Sequence, residues 1–423
     1  LGFTLEEAVK NYAIPYESDD DLGSIVEAIG EAKVVLLGEA SHGTSEFYKV
    51  RAKLSKLLIE QKGFSAIAVE GDWPSSQQVN QYIKGYADET ADARDVLQAF
   101  SRWPTWMWAN EEIAEFIDWL KMHNTTSNEK VGFYGVDIYS LWESMEEIIR
   151  YLTESNPAGA NLKLAKKAFS CFEPFNGMPE HYAISTAHFS QVCIDEVSEL
   201  LMSIRSHKDH YEDKMEADLN MKVNALVAKN AEEYYRAMLQ DNAQSWNIRD
   251  EHMVEAINEV RKHNGEDTKI IIWEHNTHIG DARATTMKDE GMLNVGQLLR
   301  EQYGEQNVFA VGLGTNRGTV IAASEWDTPF MKIDVPPARE HSWEHLLHKT
   351  GAFDKLFIFN EENRKYFNGW TGHRAIGVIY DPEYEAFGNY VPSQVGSRYD
   401  AFIFIDQTTA LNPIVVKKSI NTI

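Results

Sequence analysis

Residues 33–43 read KVVLLGEASHG, and this stretch decides the fold. Val34–Leu37 are apolar without polar alternation, the pattern of a strand buried on both faces, as in a parallel sheet. The run ends at Gly38, and an acid and a histidine follow, Glu39 and His42. The same form recurs three times: residues 66–69 (AIAV) lead to Glu70, 132–136 (GFYGV) to Asp137 and 270–273 (IIIW) to Glu274. Further strand candidates are 308–314, 320–323, 356–359, 375–380 and 401–405.

Helical patterns separate the first strands. In 44–61, Phe47, Val50, Leu54, Leu57 and Leu58 recur at helical spacing, with Thr44 or Ser45 as N-cap. In 111–123 the stripe is Ile113, Phe116, Ile117 and Leu120. Strand–helix alternation predicts an α/β fold, a mainly parallel sheet with flanking helices. From about 155 to 260 no strand is found, and 161–172, 186–207 and 211–236 read as helices, so an all-helical insertion is expected. The expected organisation is a first part of the core over 1–154, the insertion over 155–262, and the rest of the core over 263–423, with a small α+β subdomain around 315–400.

The 423 residues include 40 Lys and Arg against 65 Asp and Glu, a net charge of −25. Such a surface repels phosphate backbones and anionic lipid, so no nucleic-acid or membrane partner is expected. No apolar run reaches the roughly 20 residues a membrane helix needs. The location expected is cytoplasmic; the chain begins at Leu1, so a removed leader would leave no trace. Cys171 and Cys193 form neither a disulfide framework nor a zinc-thiolate pattern, and a single bridge between them is left open. The sequence fixes no oligomeric state.

Four strand ends thus carry acids or acid–histidine clusters: Glu39 and His42; Glu70, Asp72 and Trp73; Asp137 and Tyr139; Glu274, His275 and His278. In open α/β sheets, ligands bind beyond the carboxyl ends of the strands. A strand end turns polar simply on leaving the core, but four ends with acids, two of them with histidine, favour a shared pocket. His42, with an ordinary pKa of about 6.5, suits general-base work, with Glu39 orienting its ring; the competing reading is a histidine that caps a helix. Arg51, one turn past Phe47, is placed to pair with a carboxylate or else lies on a solvated face. His275 and His278 sit three apart, a spacing for a second acid/base or, with Glu274 and Asp281, for a metal.

Ser41 is the weaker nucleophile, since adjacent residues on extended chain point apart. His341-Ser-Trp-Glu344-His345 matches a zinc-protease pattern but lacks a nameable third ligand. No Gly-x-Ser-x-Gly elbow or phosphate-binding loop is present, and Gly312-Leu-Gly314 is discounted as a dinucleotide turn. Trp103, Trp106 and Trp108 either line a pocket for a large apolar ligand or pack the core.

Residues 37–44 (LGEASHGT) with Arg51, then 69–72 (VEGD), 134–137 (YGVD) and 273–278 (WEHNTH), resemble in this order the erythromycin esterase family, whose members also carry the label of succinoglycan biosynthesis proteins. The resemblance implies an α/β core with a helical insertion and hydrolysis of a carboxylic ester or macrolide lactone, the chemistry of antibiotic-resistance members. It implies His42 as general base, with Glu39, Arg51, Glu70, His275 and His278 as further site residues. Asp72, Trp73, Asp137, Glu274 and Trp106 are the expected substrate-binding residues. The expected reaction uses water activated by His42, with Glu39 and Glu70 positioning it and Arg51, His275 or His278 holding the oxyanion. It needs no cofactor, and no metal ligand is assigned. A divalent metal on His275, His278 and the strand-end acids is the competing route, and a non-catalytic ligand-binding protein is a third. The partner expected is a small-molecule ester or lactone.

Overall fold

The structure, a computed structural model, describes residues 2–87, 89–175, 177–189, 192–206 and 214–417. Its strands are β1 (Ile14–Pro15), β2 (Val34–Leu37), β3 (Ala66–Val69), β4 (Gly132–Gly135), β5 (Ile270–Trp273), β6 (Val308–Ala322), β7 (Met331–Val335), β8 (Lys355–Ile358), β9 (Thr371–Arg374), β10 (Tyr390–Ser393) and β11 (Ala401–Thr408). The large sheet runs β1-β8-β11-β6-β2-β5-β3-β4, with β7 paired to β6. β2 is parallel to β5 and β6, and β6 to β11, while β1, β7 and β8 pair antiparallel. Every residue of β2, β3, β4 and β5 is buried, as their unalternating apolar runs require.

The chain divides into two compact units, 1–67 with 82–132 and 268–423, and 68–81 with 133–267. The first holds most of the sheet, the helix Ser45–Lys62 and the helix Glu111–Thr126. The second holds the helices Leu141–Ser155, Ala160–Phe172, Pro179–Phe189, Ile194–Ser206, Ala217–Ala237 and Asn242–Asn264. Among the described residues of 141–264 there is no strand. Leu141, Met145, Ile148, Leu162, Leu200 and Leu226 share one core there. Cys171 and Cys193 are joined by a disulfide within that core. Among the described residues, no helix is long and apolar enough to cross a membrane.

Several local expectations are corrected. The runs 308–314 and 320–323 join into one strand, β6, which ends at Ala322, because the intervening Thr315, Arg317 and Gly318 pair with β11 and Gly318 and Thr319 with β7. A Cβ on Gly312 would lie 2.6 Å from the Tyr399 ring, so this glycine makes room for an aromatic rather than for a turn. Residues 375–380 are not a strand; β9 ends at Arg374, and beyond it only single bridges form, Ile376 to Ser41 and Ile379 to Ala323. The helix expected over 186–207 is two helices, broken around Cys193 where the disulfide anchors the chain; His207 and Tyr211 lie outside the described residues. His341 has φ of +67° and precedes the helix Trp343–Lys349, so the zinc-protease pattern does not lie on one helix. Glu344 of that pattern is hydrogen-bonded to Nδ1 of His373 instead.

Candidate active site

In the first unit, the end of β2 runs directly into the loop that carries Glu39 and His42. Four distant segments hold this loop by its backbone. The amides of Asn276, Ile376 and Ile321 donate to the carbonyls of Glu39, Ala40 and Gly43, and Leu411 also donates to Gly43. The Tyr48 hydroxyl donates to Met107 O at 2.7 Å, and its oxygen lies 3.2 Å from His42 O. Gly43 has to be glycine here, since a Cβ would stand 1.9 Å from the Ile321 carbonyl oxygen.

The side chains form a graded chain. Nδ1 of His42 lies 2.7 Å from Oε1 of Glu39, and Nη2 of Arg51 donates to Oε2 of Glu39 at 2.7 Å. A carboxylate only accepts, so the His42 proton sits on Nδ1 and Nε2 is the basic nitrogen. The Arg51 guanidinium lies 4.7 Å from the Tyr48 ring and 4.7 Å from the Trp273 ring, an aromatic sandwich that favours a buried cation. Side-chain exposure rises from 0% at Arg51 to 2% at Glu39 and 10% at His42. Arg51 and Glu39 are therefore dry, and His42, also buried, is the most exposed of the three.

Strand β5 brings Glu274 and His275 to the same unit. His275 caps the single-turn helix Asn276–Ile279, and its ring centroid lies 4.9 Å from that of His42. Its Nδ1 accepts from Thr277 N at 3.2 Å, and Nε2 lies 3.0 Å from Ile376 O, so Nε2 carries the proton. Both ring nitrogens are thus engaged within the protein. His278 is buried on that helix turn, and Glu274 is buried at the strand end. Ser41 accepts from the amide of Gly43 and shares a hydrogen bond with the Thr44 hydroxyl at 2.8 Å, a local turn that engages its oxygen. Trp106 is 1% exposed and packs edge-on against Trp103, at 5.6 Å between centroids. Trp103 in turn faces the exposed Trp326 at 4.6 Å.

In the second unit, Glu70, Asp72, Trp73 and Asp137 are also buried. Sequence reasoning misses their organiser, Arg249. Its Nε and Nη2 bond Oδ1 and Oδ2 of Asp137 at 2.9 and 2.8 Å, and Nη2 lies 3.7 Å from Glu70. The guanidinium also covers the Tyr139 ring at 4.8 Å. Burial by itself would lower the Arg249 pKa, but Asp137 and Glu70 outweigh it and hold the cation well above its ordinary value. Trp73 is a core residue: it stacks on Tyr134 and donates to Asn220 at 3.0 Å. One turn past Arg249, burial pushes the His252 pKa down to about 4, so it is neutral. A signal for Arg249 does exist: in the helix Asn242–Asn264 it follows Ser245 and precedes Met253, Ala256 and Val260 on the buried face, where a charge demands a partner.

The sequence model of a family described as erythromycin esterase matches residues 59–408. The match begins beyond His42, so the reading of Glu39, His42 and Arg51 rests on their geometry. Among curated relatives, the erythromycin esterase type II of Escherichia coli is 32% identical over 139 residues. That stretch is 31% of each chain, so the match spans about a third of this relative's length. The provisionally named hydrolase YbfO of Bacillus subtilis (strain 168) is 21% identical over 93% of this chain and 87% of its own. Among solved structures, one described as a succinoglycan biosynthesis protein superposes with a TM-score of 0.77 at 20% identity, covering 98% of both chains. A mutant of the erythromycin esterase EreC in its open conformation gives a TM-score of 0.67 at 16% identity, covering 95% of this chain and 96% of that one. These likenesses show the fold.

Proposed function

This chain belongs to the erythromycin esterase family, and on that premise we propose that it hydrolyses a carboxylic ester or lactone with water activated by His42. The observation that supports the reading is the chain Arg51–Glu39–His42, in which Nδ1 of His42 faces Glu39 and the proposal gives Nε2 the role of base. Nε2 takes a proton from water as the water oxygen bonds to the carbonyl carbon. The tetrahedral oxyanion then collapses, the ester C–O bond breaks, and His42 returns the proton to the departing alkoxide. Glu39 stabilises the imidazolium formed in between, and Arg51 holds Glu39 in place.

Arg51 is too deeply buried to meet the substrate, and the two nitrogens of His275 already have partners. Both are positioning residues in this scheme, and His278 is the histidine assigned to the oxyanion. The Tyr48 hydroxyl donates to Met107 O and lies 3.2 Å from His42 O, which brings the turn carrying Trp106 close to the His42 backbone. That supports an aromatic wall for the apolar part of the substrate. Macrolide lactones are the first substrates to try, given the Escherichia coli relative.

The test is a hydrolysis panel of macrolides and simple aryl esters with His42→Ala as control. The variant is expected to fold normally and to lose about 10²–10⁴-fold in kcat. Retention of most activity would sink the assignment. Loss of activity to a chelator, restored by added zinc, would move the reading to a metal hydrolase. Failure of the wild-type chain on every ester and lactone would leave a ligand-binding protein on the same scaffold.

A further inference from the structure

His278, the histidine assigned to the oxyanion, rides on a helix of four residues, Asn276–Ile279. Within this turn His278 N and Ile279 N donate to His275 O at 2.9 and 3.1 Å, and Gly280 N donates to Asn276 O at 2.9 Å. One turn does not hold itself, because nucleation fixes several residues for a single hydrogen bond. The carbonyls at its end also need partners from elsewhere. Whatever keeps His278 in place therefore lies outside the turn.

Asn294 supplies that hold. It is fully buried at the N-cap of the helix Val295–Tyr303. Its Nδ2 donates to Thr277 O at 2.9 Å and to Gly280 O, two carbonyls that flank His278 in the chain. Its Oδ1 accepts from Gln297 N at 3.0 Å, which caps the helix, and from Ala282 N at 3.2 Å. A carboxamide offers two protons and two lone pairs on its oxygen, and all are engaged here. Carbonyls on one side and amides on the other admit a single orientation of the group. The capped helix also sits flush on the turn: a Cβ on Gly296 would lie 2.0 Å from Ile279 O. A cap requires only the oxygen, which aspartate or serine supplies as well as asparagine. The nitrogen is the part that capping does not explain.

We propose that Asn294 is a positioning residue of ester hydrolysis: its amide nitrogen, by tying Thr277 O and Gly280 O, holds the His278 ring where the oxyanion forms. This rests on the reading of His278 given above. Asn294 is too deeply buried to touch substrate and acts through His278.

The test separates the nitrogen from the cap. Asn294→Asp keeps the capping oxygen but turns a second acceptor toward the two carbonyls. Asn294→Ser keeps a capping oxygen and removes the amide without adding charge; it carries the comparison if Asn294→Asp does not fold. On an ester that the wild type hydrolyses, both variants are expected to lose about 10–100-fold in kcat with KM within about twofold. In a His278→Ala background the same changes are expected to leave kcat within about twofold, because the group they act through is gone. Wild-type kcat in the folded variants overturns the proposal, and so do losses that multiply with that of His278→Ala. A loss in Asn294→Ala that Asn294→Asp and Asn294→Ser do not share overturns it as well, since it assigns Asn294 to capping alone. If the wild-type chain hydrolyses nothing, the reading of the reaction fails, and the hold on the ring is judged without turnover. The NMR signal of the His278 ring in histidine-labelled protein, identified by its absence from His278→Ala, is expected to shift in Asn294→Ser while that of His42 stays. An unmoved His278 signal overturns the proposal there too.

Discussion

The two polar clusters are built in opposite ways. In the first unit, Arg51, Glu39 and His42 come from one strand–loop–helix passage, and Glu39 is shared by two basic partners. In the second, Arg249 reaches back 112 positions to Asp137, and one cation serves two acids. The first arrangement tolerates loss of a partner, because a basic group still faces Glu39. The second is more brittle, because losing the shared cation strips an attraction from two buried acids at once.

That contrast sets an order of effects. Arg249→Met takes the shared cation from two buried carboxylates and is expected to cost about 3–5 kcal/mol in urea unfolding at neutral pH. Wild-type stability in this variant would erase the contrast. The second cluster also adds a pH dependence through its neighbour His252. Burial holds His252 near 4 in the folded chain against 6.5 when unfolded, so the unfolded chain binds more protons between those values. Its contribution is complete above pH 6.5 and is lost as the pH falls toward 4. About 2 kcal/mol is expected to go between pH 7 and pH 5. His252→Gln should flatten that part of the profile; an unchanged slope would assign the loss to other groups. Arg51→Met is expected to be the mildest, at about 1–2 kcal/mol, since His42 still pairs with Glu39. A loss equal to that of Arg249→Met would break the comparison from the other side.

The same contrast governs what can be read from the sequence. Strands β2, β3, β4 and β5 are legible because an unbroken apolar run with a polar end suits a doubly buried strand and little else. Glu39, His42 and Arg51 are legible because a strand end and the next helix turn fix their spacing. Arg249 is not, since its partner acids lie on segments far away in the chain. The partners of His275 are hidden for the same reason: Ile376 comes from a segment that looks like a strand in sequence but pairs only by single bridges.

The anchored carbonyls of the His42 loop bear on how this protein can change over generations. Loops ordinarily accept insertions and drift faster than the elements they join. Between Glu39 and Gly43 the backbone is tied to four remote segments, and an added or deleted residue would break several ties at once. Novelty therefore has to arise in the surroundings, among segments such as the one carrying Trp103 and the exposed turn of Trp326, while His42 itself stays where it is.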